Sequence, residues 1–384
     1  MSLPEPAAAS PSPFPPCDYS EWRPTWVFIP SVYMLAFALG SLGNGLVLWV
    51  YLDRRGRRDG GTKTSSSRSV TDSLIASLAA ADLAFVLTLP LWAAYTALGY
   101  HWPFGKPLCQ LSSYVVALNM YASVFSLTGL SVERYWVIGR RRRGGSARGG
   151  TPCRASLVVG VVWAASGVLA LPGLLRTVQS REREEAFLEP DGGQSPVSSC
   201  QMDFSSLVPA HLDPKEREEA ELLWEAALGL KSTVLGFLLP LAVLLMCYCS
   251  LGCLLTQHFS EGPRPDRRRQ RRLLRVIVTL VLAFFLCWLP FHANKTLSTL
   301  VELDVLPYSC PFDRVLMAAL PYTMCLSYVN SCLNPLLYAC CDPAFRRRCR
   351  ALLQRPWCRR SRRDEEEEEE REQASRSSAV GSGT

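Results

Sequence analysis

The chain has 384 residues, of which 48% are hydrophobic and 20% charged, with a mean hydropathy of +0.10 and a formal net charge of +7. Apolar residues at this level, gathered into long runs, argue against a soluble protein. The basic residues flank those runs, so the positive charge faces anionic lipid and cytosolic partners and is no sign of nucleic-acid binding.

A helix needs about 20 predominantly apolar residues to cross the roughly 30 Å of bilayer hydrocarbon, because every backbone polar group must be satisfied within the segment. Seven stretches meet that length: residues 26–51, 70–98, 108–138, 155–175, 222–255, 273–300 and 315–338. The expected fold is therefore an all-α membrane protein, a seven-transmembrane helix bundle over 26–341. It is preceded by an N-terminal tail (1–25) and followed by a short amphipathic cytoplasmic eighth helix (342–354) and a disordered tail (355–384).

The first tail is rich in Pro, Ala and Ser and lacks the basic flank and apolar core of a signal peptide, so the first span is expected to direct insertion. Basic residues in short loops stay in the cytoplasm. Arg54, Arg55, Arg57, Arg58, Lys63 and Arg68 follow span one, Arg140, Arg141, Arg142, Arg143 and Arg148 follow span three, and Arg264, Arg267, Arg268, Arg269, Arg271 and Arg272 precede span six. These loops share one side, which puts the N-terminus outside and the C-terminus inside a plasma-membrane protein. The loop of about 177–221 on the opposite side carries eleven Asp or Glu against four Lys or Arg.

Most of the fifteen cysteines fall within spans, where a thiol behaves as a small hydrophobe; Cys17, Cys109, Cys200 and Cys310 lie at the outer surface, enough for two pairs. The single glycosylation sequon, at Asn294, falls inside span six and is not available to the transferase. Asp364 and Glu365 to Glu370 form an acidic run that cannot bury a core.

Polar groups at the middle of a span are costly and mark function. Asn44 on span one, Asp82 on two, Asn119 and Ser123 on three, Trp288 on six, and Asn330, Ser331 and Asn334 on seven lie at similar depth. A lone carboxylate ringed by amide and hydroxyl oxygens suits a hard monovalent cation, sodium being the natural choice; the other reading is a hydrogen-bonded network that only holds helices together. Glu133-Arg134-Tyr135 ends span three, where an arginine that exchanges acceptors makes a two-state latch. Cys287-Trp288-Leu289-Pro290 on span six and Asn334-Pro335-Leu336-Leu337-Tyr338 on span seven are proline hinges, each with a large aromatic ring.

No zinc-protease motif, nucleophile elbow or phosphate-binding glycine loop is present, and His101, His211, His258 and His292 are too scattered to form a ligand set, which excludes the common enzymes. Span seven lacks the lysine a retinal Schiff base needs. The repeated broken helices of a transporter are absent.

Gly43-Asn44, Leu78 to Asp82, Glu133-Arg134-Tyr135, Trp163, Pro240 with Tyr248, Cys287 to Pro290 and Asn334 to Tyr338, in this order, resemble the rhodopsin-like family of G-protein-coupled receptors over about 29–349. Thr88 to Ala93, Trp102-Pro103-Phe104-Gly105, Asn119 to Phe125 and Tyr328 to Pro335 narrow the resemblance to the apelin-receptor family, with parts shared by chemokine and angiotensin receptors.

The resemblance implies Cys109–Cys200 and Cys17–Cys310 bridges and a basic, apelin- or Elabela-like peptide as ligand. Asp18, Tyr19 and Glu21 of the tail and Trp92, Tyr95, Arg176, Phe291, Lys295, Asp313 and Tyr322 of the bundle match positions along the peptide's path. It further implies an inhibitory-class heterotrimeric G protein, arrestin recruitment after phosphorylation of Ser361, Ser375, Ser377 or Ser378, and Tyr248, Pro290, Pro335 and Tyr338 acting with Arg134 as the activation switch. Cys349 and Cys358 follow the amphipathic helix and are either palmitoylated or free.

The chain also departs from the family. Gly99-Tyr100-His101 and Pro311 stand where it has acids, and Ile138-Gly139-Arg140 stands where it has a proline and an apolar docking residue. The second departure keeps a non-signalling scavenging receptor in play as the alternative.

Overall fold

The computed structural model describes residues 25–53, 70–142, 152–181, 197–209, 211–257, 264–341, 345–347 and 349–350. Seven helical segments in it are long and apolar enough to cross a membrane. They are α1 (Thr25–Asp53), α2 (Val70–Val86) with α3 (Leu89–Ala97), α4 (Gly105–Arg142), α5 (Pro152–Ala170), α6 (Pro214–Thr233) with α7 (Leu239–Gln257), α8 (Arg264–Glu302) and α9 (Cys310–Cys341). At about 1.5 Å per residue the 38 residues of α4 run roughly 57 Å, well beyond the hydrocarbon, and α4 packs against α2, α5, α7 and α8 as the central pillar.

The elements deviate from unbroken spans where proline removes a backbone donor. Pro90 ends α2, and the chain tightens through Leu87 and Thr88. There the Thr88 amide and hydroxyl both donate to the Phe85 carbonyl at 2.8 Å before α3 starts. Pro172 turns the end of span four into a 3₁₀ segment, Leu171–Leu175. The carbonyls freed there are taken up by neighbours: Lys231 donates to Leu169 O at 2.9 Å and Gln110 to Leu174 O at 2.9 Å. Gly173 permits this packing, because a Cβ on it would lie 2.9 Å from the Tyr114 backbone. Ahead of Pro240, Val234–Leu238 form a π turn.

Two differences from the sequence expectation concern the second connecting loop. Span five begins at Pro214 instead of near residue 222, because Asp213-Pro214 starts a helix and Glu216 accepts the Asp213 amide at 3.3 Å. Those first turns are polar, so hydropathy misses them. The loop also contains a hairpin that no helical reading anticipates: β1 (Arg176–Arg181) pairs antiparallel with β2 (Val197–Met202), Val178 opposite Cys200. The Cys109–Cys200 disulfide, with Cα atoms 5.8 Å apart, ties β2 to the start of α4.

One apolar cluster around Trp102, Trp92, Phe85 and Tyr328 sits at the hairpin end. A second, around Leu74, Leu127, Leu244, Phe284 and Trp288, fills the rest of the bundle. Of the expected eighth helix only residues 345–347 and 349–350 are described; Phe345 is buried there, its ring 5.9 Å from that of Tyr338. Burial raises the pKa of the half-buried Cys349 thiol.

Candidate functional site

Asp82 of α2 is fully buried at the bundle centre, and among the described residues no lysine or arginine pairs with it. Its charge is met by hydrogen bonds instead. Asn119 Nδ2 donates to Oδ1 at 2.8 Å and Ser123 Oγ to the same oxygen at 3.3 Å, both from α4. Asn334 Nδ2, from α9, donates to Oδ2 at 2.7 Å. Ser331 Oγ donates to Asn119 Oδ1 at 3.2 Å, closing a network over three spans.

Asn44 joins through the backbone of α9: its Nδ2 donates to Ser331 O at 2.9 Å and Gly40 O at 3.0 Å, and not to Asp82. Its approach depends on Gly43, where a Cβ would stand 2.7 Å from Pro335 Cβ. Asn44 Oδ1, Asn330 Oδ1 and Trp288 Nε1 are buried without a hydrogen-bond partner among the described residues. A buried, unneutralised carboxylate held by amide and hydroxyl groups, with further buried oxygens left unsatisfied on α1 and α9, is the donor chemistry a hard monovalent cation takes, so the residues present fit sodium.

At the end of α4 away from the hairpin, Arg134 Nη2 donates to Thr71 Oγ1 of α2 at 2.9 Å. Glu133 instead reaches α5, where Arg154 Nη2 lies 2.7 Å from Oε2, and the Arg154 guanidinium sits 5.4 Å from the Trp136 ring centroid. Tyr135 is exposed. Tyr248 of α7 shares a 2.9 Å hydrogen bond with Ser131 of α4. Trp288 is buried, with the rings of Phe284, Phe291 and His292 within 6 Å of its centroid. Pro290 lies within α8 and Pro335 within α9, while Tyr338 is buried.

The hairpin end gathers a cluster of charged side chains. Arg176, the first residue of β1, donates to Cys200 O at 3.1 Å. Its pKa is lowered by burial, an effect that Tyr328, Tyr95 and Glu225 oppose; an arginine there stays protonated throughout the physiological range. Lys295 of α8 lies within electrostatic reach of Arg176, Glu225 and Glu302, and Glu302 within reach of Asp313. Trp92 packs edge-on against Tyr95 and beside Trp102; the Tyr322 ring stands 6.3 Å from that of Phe28.

The structure thus brings Trp92, Tyr95, Arg176, Lys295 and Asp313 to one end of the bundle. Sequence reasoning missed Glu225 and Glu302, although an acid inside a membrane-length helix is itself a signal. Asp18, Tyr19, Glu21, Cys17 and Cys358 lie outside the described residues. Cys310 is disulfide-bonded, and Cys349 takes part in no disulfide.

His101, which stands where an acid was expected, accepts the Ser198 amide at Nδ1 (3.2 Å), while the Trp102 amide donates to Ser198 O at 2.7 Å. The loop before α4 is thereby stitched to β2. The reversal into it needs positive φ at Gly99 and Tyr100, both +64°.

A seven-span bundle with a buried carboxylate network, a Glu-Arg-Tyr helix end and proline hinges in spans six and seven is that of a receptor, and the chain belongs to the rhodopsin family of seven-transmembrane receptors, whose family model matches residues 43–338. It is a multi-pass protein of the plasma membrane and not an enzyme. Its relatives include apelin receptor A of Danio rerio, 48% identical over 338 residues that cover 88% of this chain and 85% of that one. The apelin receptor of Xenopus tropicalis is 41% identical over 335 residues, 87% of this chain and 83% of its own. Relaxin-3 receptor 1 of Mus musculus is more distant, 33% identical over 357 residues, 86% and 70%. The chain is a G-protein-coupled receptor of the apelin-receptor type.

Proposed function

We propose that this receptor binds a basic peptide of the apelin or Elabela type at the hairpin end of the bundle, which faces outward, and activates an inhibitory-class G protein and then arrestin at the inward-facing end. The observation that carries the ligand class is that Glu225 and Glu302 lie within electrostatic reach of Lys295, and Asp313 within reach of Glu302, which supplies carboxylates where the first outer loop has Gly99-Tyr100-His101 in place of acids. Acids in a partly desolvated cleft raise the local concentration of a cationic peptide and fix its register. The relatives named apelin receptors support the same choice.

Binding shifts an existing equilibrium only through differential affinity for its two states; moving it from 1:99 to 99:1 takes about 5.5 kcal/mol. In the favoured state α8 swings away from α4 about Pro290, and Arg134 gives up Thr71 for a G-protein contact. Tyr248, now held by Ser131, and Tyr338 turn toward the space this opens. Asp82, Asn119, Ser123 and Asn334 hold the resting packing of α2, α4 and α9, and Asn44 ties α1 to the Ser331 carbonyl of α9. A sodium ion bound there would supply the positive charge that Asp82 otherwise lacks.

The test is inhibition of cyclic AMP in cells expressing the full chain, challenged with apelin-type and Elabela-type peptides beside an Arg134→Ala control. A response absent from the control supports the reading. Peptide binding without a response points to a scavenging receptor, and no binding to a chemokine- or angiotensin-like peptide.

A further inference from the structure

The carboxylate of the Glu-Arg-Tyr motif has a partner on a neighbouring span. Glu133 lies 2.7 Å from Arg154 Nη2, its side chain 13% exposed against 37% for Arg154, so the pair is only partly open to water. The Arg154 guanidinium is also within cation–π range of Trp136, 5.4 Å from the ring centroid. That second contact holds the guanidinium against α4 and lowers the entropy lost in pairing. Glu133 is thus held by Arg154 at the first turn of α5, while Arg134, its neighbour in the chain, donates to Thr71 of α2.

We infer that Arg154 is a positioning residue of the activation latch, drawing Glu133 toward α5 and so weakening its hold on Arg134. The inference rests on the receptor function proposed above. In a latch where Glu133 favours the resting state by holding Arg134, each increment of charge Arg154 neutralises shifts the equilibrium toward the active state. The receptor with Arg154 in place has raised basal activity, and Arg154→Ala lowers it. A partly exposed ion pair of this kind is expected to move the equilibrium by about two- to fivefold. Arg154 acts only through Glu133, so its effect vanishes once the carboxylate is gone.

The experiment measures peptide-free nucleotide exchange on an inhibitory-class G protein in membranes bearing equal surface amounts of the full-length chain and its variants. Basal exchange is expected to fall about two- to fivefold in Arg154→Ala and to persist in Arg154→Lys, which keeps the charge. In a Glu133→Gln background, adding Arg154→Ala is expected to change nothing. A fall of the same size in that background, as a direct G-protein contact or simple misfolding gives, overturns the inference, as does an unchanged or higher basal rate in Arg154→Ala alone. Exchange that persists in Arg134→Ala, or silence in every variant with and without peptide, overturns the receptor reading itself and this inference with it.

Discussion

Replacing Asp82 with asparagine tests the centre of the bundle, because it removes one charge and alters one terminal atom. In the native network two amide donors address opposite carboxylate oxygens, Asn119 at 2.8 Å and Asn334 at 2.7 Å. Whichever way the substituted side-chain amide turns, its NH₂ group meets one of these donors. Asn119 cannot relieve the clash by flipping without losing the bond it accepts from Ser331. One charge-assisted hydrogen bond, about 1.5–3 kcal/mol, is lost, and relief from burying an unneutralised carboxylate offsets a similar amount. The variant is therefore expected at the cell surface in near-normal amount.

Ion linkage is not offset in this way. An ion bound only to the resting state reduces apparent agonist affinity by 1 + [Na⁺]/Kd, about elevenfold or 1.4 kcal/mol at ten times its Kd. Binding of a labelled apelin-type peptide is measured in sodium chloride against N-methylglucamine chloride at equal ionic strength, since a basic peptide also responds to general screening. The native chain should bind more weakly in sodium and Asp82→Asn should not distinguish the two salts; a sodium effect that survives the substitution refutes the site.

Gly43→Ala puts a methyl 2.7 Å from Pro335 and forces α1 away from α9, an overpacking cost of about 1–3 kcal/mol seen as reduced surface expression and a lower melting temperature in detergent. Cys109→Ser opens a bridge that spans 91 residues and is expected to cost about 2–5 kcal/mol, abolishing peptide binding before it abolishes membrane insertion. Glu225→Gln should weaken a basic peptide by up to about fivefold, mostly through slower association at low salt. Unchanged association kinetics for that variant count against an acidic steering role.

How much was legible in advance depended on whether the signal was local. Asp82, Asn119, Ser123 and Asn334 stand out in the sequence because each is a polar group at mid-span depth, and the fold joins all four in one network. Asn44 stands out in the same way, yet its amide donates to the backbone of α9, a choice set by how closely Gly43 lets two helices approach. The roles of Ser131 and Arg154 carry no sequence signal of their own: a serine on an α4 turn and an arginine at a helix start are ordinary until Tyr248 and Glu133 are set against them.

By itself the sequence determined the seven-span bundle, because a bilayer requires long apolar helices and admits few alternatives. It determined the family as well, through rare polar and proline positions in a fixed order. Tertiary structure alone decided the β-hairpin and the convergence of Glu225, Glu302 and Lys295, since each depends on segments distant in the chain or on backbone pairing that hydropathy does not record, whereas the early start of α6 is written locally in Asp213-Pro214 and Glu216. It also decided that Glu133 leans toward Arg154, because the carboxylate's choice between cations is fixed by where α4 and α5 cross.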